Sequence, residues 1–238
     1  MRGDPFGSLL LASRAMTERE RELYERHQTL VALFGVLLHE LRNPLHAANL
    51  LVEAMAMKPS DSPQFRTKLK SQFAKVEAIL SEVGQPVKEL ALDVEPVAFA
   101  LGDALTSALE KAEAQRSGDA KVTMEGDTSV RVVADRVLLE RGILELLLRA
   151  LDPKPEQTPA KHLVVRVEEP FEGQARLVLQ DDGGTLDEST QRSPFALAHG
   201  GLRLATARAV TRLAGGSLRY ERTEDGTGSR FVLLVPLA

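Results

Sequence analysis

The chain lacks cysteine altogether, has few aromatic residues and contains no long apolar run, and each shortage removes a class of function. Without cysteine there is no disulfide framework, and the redox character of its compartment leaves no mark. Aromatic residues make up 4% of the chain, no Lys/Arg cluster is interleaved with them, and the net charge is −4. That balance argues against a general nucleic-acid binder. Leu9 to Ala12 is far too short for a membrane span or a signal-peptide core, so no targeting segment is visible and a cytoplasmic location is expected. At 238 residues and 43% hydrophobic content the chain has enough material for two modest domains.

What is present is a long helical pattern carrying polar chemistry. Met16, Leu23, Leu30, Leu37 and Leu51 fall at multiples of seven, and Phe34, Leu41, Ala48 and Met55 form a second series, so one apolar stripe is predicted from about residue 16 to 57. Within it lies Leu37-Leu38-His39-Glu40-Leu41-Arg42-Asn43-Pro44-Leu45. His39 is two residues from both Leu37 and Leu41, roughly 200° of helical turn, so its imidazole faces away from the seam. Asn43 stands one turn beyond His39, and Glu40 brackets the same exposed face. Pro44 cannot donate to the carbonyl of Glu40, which predicts a kink just after the histidine. A metalloprotease-type zinc helix is excluded, because the second histidine it needs is replaced by Asn43. His46 is two turns away, and His27, His162 and His199 form no spaced cluster, so these read as structural or surface residues.

A second helical pattern follows on Phe65, Leu69, Phe73, Val76, Leu80, Val83, Val87 and Leu90. The turn Lys58 to Pro63 joins the two, with Asp61 or Ser62 as cap before Pro63. Two helices cannot cover a stripe that long on each, so the antiparallel hairpin is expected to pair with a second copy as a four-helix bundle, a homodimer. Thr17 to Arg26 alternates acid and base like a solvated helix face. Residues 1–15 read as a tail, 16–93 as the hairpin and 96–238 as a separate domain. In that domain helices are predicted at Leu101 to Gln115, Asp135 to Leu151 and Leu202 to Leu213. Strands are predicted at 121–125, 130–133, 163–167, 175–180, 217–222 and 230–235, with a breaker-rich loop at 153–159. The fold class is α+β: a helical hairpin followed by an α/β sandwich with helices on one face of a largely antiparallel sheet.

Over nearly all of residues 16–238 the chain resembles the sensor histidine kinases of two-component signalling. The stretch from His39 to Leu45 is similar to that family's H box. Gly215-Gly216-Ser217-Leu218, Gly226 to Phe231 and Val235-Pro236-Leu237 are similar to the end of its ATP-binding domain. The resemblance implies that His39 carries a phosphoryl group, Glu40 accepts a proton and Asn43 orients a water for dephosphorylation of a response regulator. The residue types suit those roles. A neutral imidazole has one nucleophilic nitrogen and one N–H, and a nearby carboxylate holds the useful tautomer. Asn43 offers a donor and an acceptor without a charge that repels phosphate.

The ATP-binding half departs from the family pattern. Glu145 and Arg149 stand where the resemblance implies two asparagines, the second a Mg²⁺ ligand, and a guanidinium has no acceptor for a metal. Arg149 is left to pair with an acid such as Glu145, or to meet a phosphate directly. Asp181-Asp182-Gly183-Gly184-Thr185 keeps the adenine-binding aspartate and Gly183 but has Thr185 for the next glycine; a plain tight turn is the other reading. Gly201 is kept in Gly201-Leu202-Arg203-Leu204, whereas Arg203 replaces a glycine that lets backbone N–H groups approach phosphates. Only Asp187 to Gly200 remains for a lid, with Ser193-Pro194-Phe195 a remnant of a phenylalanine motif. Asp181, Gly183, Arg149 and Gly201 therefore outline a vestigial nucleotide pocket with poor ATP binding or none. The function this implies is a histidine phosphotransferase with no cofactor of its own. His39 exchanges phosphate with the receiver domain of a response regulator, which brings Mg²⁺. The alternatives are a divergent kinase that phosphorylates His39 from ATP with Arg149 and Arg203 in place of the metal, and a pseudokinase scaffold or regulator phosphatase.

Overall fold

The computed structural model describes residues 18–58, 62–90, 96–116, 119–151, 160–184, 186–195, 197–223 and 226–238. Helices α1 (Glu18–Met57) and α2 (Ser62–Leu90) pack along one another as a hairpin. Their contact buries Pro44 and Ala48 and half-buries Leu37, Leu41, Leu51 and Met55 of α1, against Phe65, Leu69, Val76 and Ile79 of α2. Met16 lies outside the described residues, as do the side chains of Leu23 and Leu30. Asp61, one of the two expected caps, lies outside them too, and so does most of the expected domain boundary at 93–96. The helix runs through Pro44 without a break. The proline removes one backbone hydrogen bond, and its ring sits buried in the seam, where packing on both sides offsets that loss.

Phe34 departs from the expected stripe and is half exposed. A different series, Val31, Leu38, Leu45 and Val52, repeats every seven residues, and each member is 47 to 67% exposed. On α2, Phe73 and Leu80 are exposed in the same way. Each helix thus carries two apolar faces, of which the hairpin covers one. Among the described residues no helix is long and apolar enough to cross a membrane.

The second half contains β1 (Val97–Ala100), α3 (Leu101–Gln115), β2 (Lys121–Gly126), β3 (Arg131–Ala134), α4 (Arg136–Leu151), β4 (His162–Phe171) and β5 (Gln174–Asp181). It continues with α5 (Glu188–Arg192), α6 (Leu197–Leu213), β6 (Ser217–Glu221) and β7 (Ser229–Pro236). The main sheet has the order β2-β4-β5-β7-β6; β2 pairs with β4 in parallel and the other pairs are antiparallel. β1 and β3 form a separate antiparallel ribbon. Helix α4 lies in the core between α3 and α6 and reaches β5, so Leu138, Leu139, Ile143, Leu146 and Leu147 are all fully enclosed. This accounts for a helix that is apolar on most of its sides. The α+β class and all the anticipated elements of this half are present, with β1 and α5 in addition. Helix α6 begins earlier than its periodicity indicates because two helical pieces join across Gly201, whose φ of 72° is left-handed.

Glycine sets the closeness of α4 and α6. A Cβ on Gly142 would lie 2.4 Å from Thr211 Oγ1, whereas one on Gly84 in α2 would meet nothing within 4 Å. Gly142→Ala is expected to lower unfolding free energy by about 1–3 kcal/mol. Gly84→Ala is expected to raise it by up to about 1 kcal/mol through helix propensity. Urea titrations followed by circular dichroism check both signs.

Candidate functional site

Two places carry the residues singled out from sequence. The first is the outer face of α1, where His39 and Asn43 are exposed and Glu40 is half-buried at the edge of the seam. The heptad arithmetic that turned His39 outward is matched by its exposure. Among the described residues none of these three side chains has a hydrogen-bond or ion-pair partner, so the imidazole is open to a second molecule. His46, one heptad on, is exposed as well.

The second place is the end of the sheet where β5 and β7 pair through Asp181 and Ser229. Arg149, in the last turn of α4, reaches both: Nη1 lies 3.0 Å from Asp181 Oδ2 and Nη2 donates to Ser229 Oγ at 2.9 Å. The other oxygen, Asp181 Oδ1, accepts the Gly183 N–H at 3.0 Å. The pair is enclosed, with side-chain exposures of 10% for Arg149 and 4% for Asp181. Burial pushes the Asp181 carboxyl up, while the Arg149 charge and the Gly183 N–H pull against it. The guanidinium also lies over the Phe231 ring, 5.1 Å from its centroid. Phe195, from the segment after α5, packs edge-on to Phe231 at 6.4 Å and is itself covered by Arg208 at 5.2 Å.

The sequence-based pairing of Arg149 with Glu145 is thereby corrected. Glu145 is buried and pairs with Arg141 at 3.1 Å, one turn earlier on α4. Both pairings satisfy the requirement that a buried charge be matched. Arg149 is taken by Asp181 because the C-terminal end of α4 lies against β5. The tight-turn reading of Asp181 to Gly184 is matched by the structure, since Asp181 Oδ1 caps the turn at Gly183. Its neighbour Asp182 faces elsewhere. Its carboxylate accepts the Lys161 and His162 N–H groups at 2.7 and 2.8 Å and meets His162 Nδ1 at 2.9 Å. Desolvation pushes Asp182 up, but those donors outweigh it and hold the group below the usual carboxylate range. His162 is thus a structural residue, as its isolation in sequence suggested. Gly201 forms the break in α6, and Arg203 is half-buried with a partner of its own. Ser229 and Phe195 as parts of the Arg149 cluster were missed, and no local signal points to them.

Residues 134–238 match the family model described as the histidine kinase-, DNA gyrase B- and HSP90-like ATPase. Among curated relatives, the signal transduction histidine-protein kinase/phosphatase MprB of Mycobacterium sp. (strain KMS) is 27% identical over 94% of this chain and 45% of its own length. The signal transduction histidine-protein kinase AtoS of Escherichia coli (strain K12) is 24% identical over 99% of this chain and 40% of its own length. The chain therefore spans less than half the length of these relatives. Among solved structures, histidine kinase ThkA in complex with response regulator protein TrrA superposes with a TM-score of 0.64 at 18% identity, covering 93% of this chain and 66% of that one. Acinetobacter baumannii histidine kinase AdeS gives 0.55 at 21% identity, over 84% and 98%. These likenesses extend the shared fold across hairpin and sheet together. Motifs, fold and relatives thus converge on one likeness: residues 134–238 match the histidine kinase-, DNA gyrase B- and HSP90-like ATPase model, and hairpin and sheet together share the fold of solved histidine kinases.

Proposed function

We propose that this histidine kinase relative works as a cytoplasmic histidine phosphotransferase: His39 takes a phosphoryl group from a receiver-domain aspartate of a response regulator and passes it to another. One nitrogen of the neutral imidazole attacks phosphorus, the acyl-phosphate P–O bond breaks, and the receiver aspartate leaves as carboxylate. The proton on the other ring nitrogen is held by Glu40, and Asn43 orients a water when the phosphoryl group is hydrolysed instead. The receiver brings its own Mg²⁺, so this chain supplies the acceptor and the alignment.

The observation that carries the reading is the Arg149 pair. The family to which residues 134–238 belong is one of nucleotide-binding ATPases. In this chain both Asp181 oxygens are taken, by Arg149 and by the Gly183 N–H, and Ser229 accepts from the same guanidinium. Arg149 has no oxygen to offer a metal, and Glu145 Oε1 faces Arg141. The donor set fits a closed internal network and does not fit magnesium with a triphosphate. The second reading, a divergent kinase that phosphorylates His39 from ATP, is favoured by the comparisons alone, since MprB and AtoS both carry the name kinase. The name kinase/phosphatase on MprB keeps regulator dephosphorylation as a further reading, with Asn43 as its residue.

Two incubations separate these. A radiolabelled phosphorylated receiver is expected to label wild-type protein and not His39→Ala, while radiolabelled ATP leaves both unlabelled. Label on His39 from ATP would make the protein a kinase, and regulator dephosphorylation that survives His39→Ala would make it a phosphatase. The exposed stripe of Val31, Leu38, Leu45 and Val52 supports a homodimer closed as a four-helix bundle. Leu45→Asp places a charge in that stripe, so light scattering is expected to read a monomer of unchanged helix content; dimer mass in the variant counts against the bundle. Arg149→Met strands the Asp181 carboxylate and is expected to cost about 3 kcal/mol in urea unfolding. A loss below about 1 kcal/mol would mean that water reaches the pair.

A further inference from the structure

The stretch from residue 189 to 220 contains five arginines and no acid, the longest imbalance of charge in the ATPase-like domain. The structure draws part of this charge to one place. Between α5 and the edge strand β6 lies an open cleft lined by Glu188, Gln191, Arg192, Tyr220 and Arg222. Arg222 follows directly on β6 and donates from Nη2 to Gln191 Oε1 at 2.9 Å, which fixes its guanidinium at the rim. Among the described residues neither Arg192 nor Arg222 has a carboxylate partner, although Glu188 shares the cleft. The arginines that belong to the fold, by contrast, are paired: Arg141 with Glu145, Arg149 with Asp181, Arg176 and Arg230 with Glu168 and Glu221.

Tyr220 adds a second observation. Its hydroxyl is shielded from solvent and has no hydrogen-bond partner among the described residues, an arrangement that leaves a buried donor unused. Burial pushes its phenol up, so it stays protonated at neutral pH. Two guanidinium groups with spare N–H donors suit a phosphate, because the planar fork matches pairs of its oxygens. The Tyr220 side chain lines the same cleft, and its O–H is one more donor of the same kind.

We infer that the α5–β6 cleft is an anion-binding site in which Arg192 and Arg222 grip a small phosphate-bearing ligand, with Tyr220 lying between them and the Arg149–Asp181 pair. Its chemistry is that of pyrophosphate or a phosphate ester, and it stands whether or not His39 is a phosphotransfer residue. Isothermal titration of the whole chain with sodium pyrophosphate at low ionic strength is expected to give saturable one-site binding. Arg192→Gln and Arg222→Gln are each expected to weaken it about tenfold, as for the loss of one charge-assisted contact. Tyr220→Phe is expected to weaken it severalfold. Arg219→Gln removes the same charge from the exposed side of β6 and is expected to leave binding unchanged. ATP binding that falls in parallel in Arg222→Gln would support the same site with a nucleotide's phosphates as ligand. No saturable binding up to 10-millimolar pyrophosphate (roughly the weakest useful range), or equal weakening by Arg219→Gln, would overturn the assignment.

Discussion

A guanidinium beneath a β-sheet has to be matched or it unfolds the domain, and the interior of residues 134–238 is arranged around that constraint. Arg149 joins three elements at once: α4, which carries it, β5 through Asp181 and β7 through Ser229. The antiparallel register that places Asp181 opposite Ser229 is what lets one side chain reach both. Phe231, two residues along β7, supplies an aromatic face for the cation, and Phe195 closes over that ring. One turn back on α4 the Arg141–Glu145 pair repeats the scheme. Charges of alternating sign at four-residue intervals, at 141, 145 and 149, are neutralised internally, with Asp181 completing the set.

The two halves differ in how their polar side chains are held. On α1, His39 and Asn43 are exposed and Glu40 half-buried, without partners among the described residues, above the apolar seam with α2. In the ATPase-like domain, the groups at the family's nucleotide position are buried and committed to each other. The imidazole on α1 is exposed, whereas Arg149 and Asp181 are enclosed and paired with each other. Among the described residues, Arg192 and Arg222 line a different cleft, at the α5–β6 edge.

Much of this was legible before any coordinates. The outward face of His39 followed from counting turns from Leu37 and Leu41, since a helical period is a local property and α1 is one helix. Helix α3 lies where its apolar spacing puts it, and the six anticipated strands all occur. The series Val31, Leu38, Leu45, Val52 was passed over because each member adjoins or interleaves with the first stripe, and a single-seam reading absorbs it. Strand β1 was passed over because four residues, half of them exposed, give no period to count. Gly201 hid the start of α6, since a left-handed residue resets the phase of the apolar pattern on either side.

By itself the sequence determined the element types, the H-box-like segment and the side of α1 on which His39 stands, because each depends on neighbours within a turn or two. It also determined that Arg149 needed an acid. Which acid was decided only by the tertiary structure. Glu145 is four residues away and Asp181 is 32, yet the distant one is the partner, because the end of α4 abuts β5 and the near one faces Arg141. Ser229, 80 residues from Arg149, enters for the same reason: strand register sets distances that spacing along the chain does not encode.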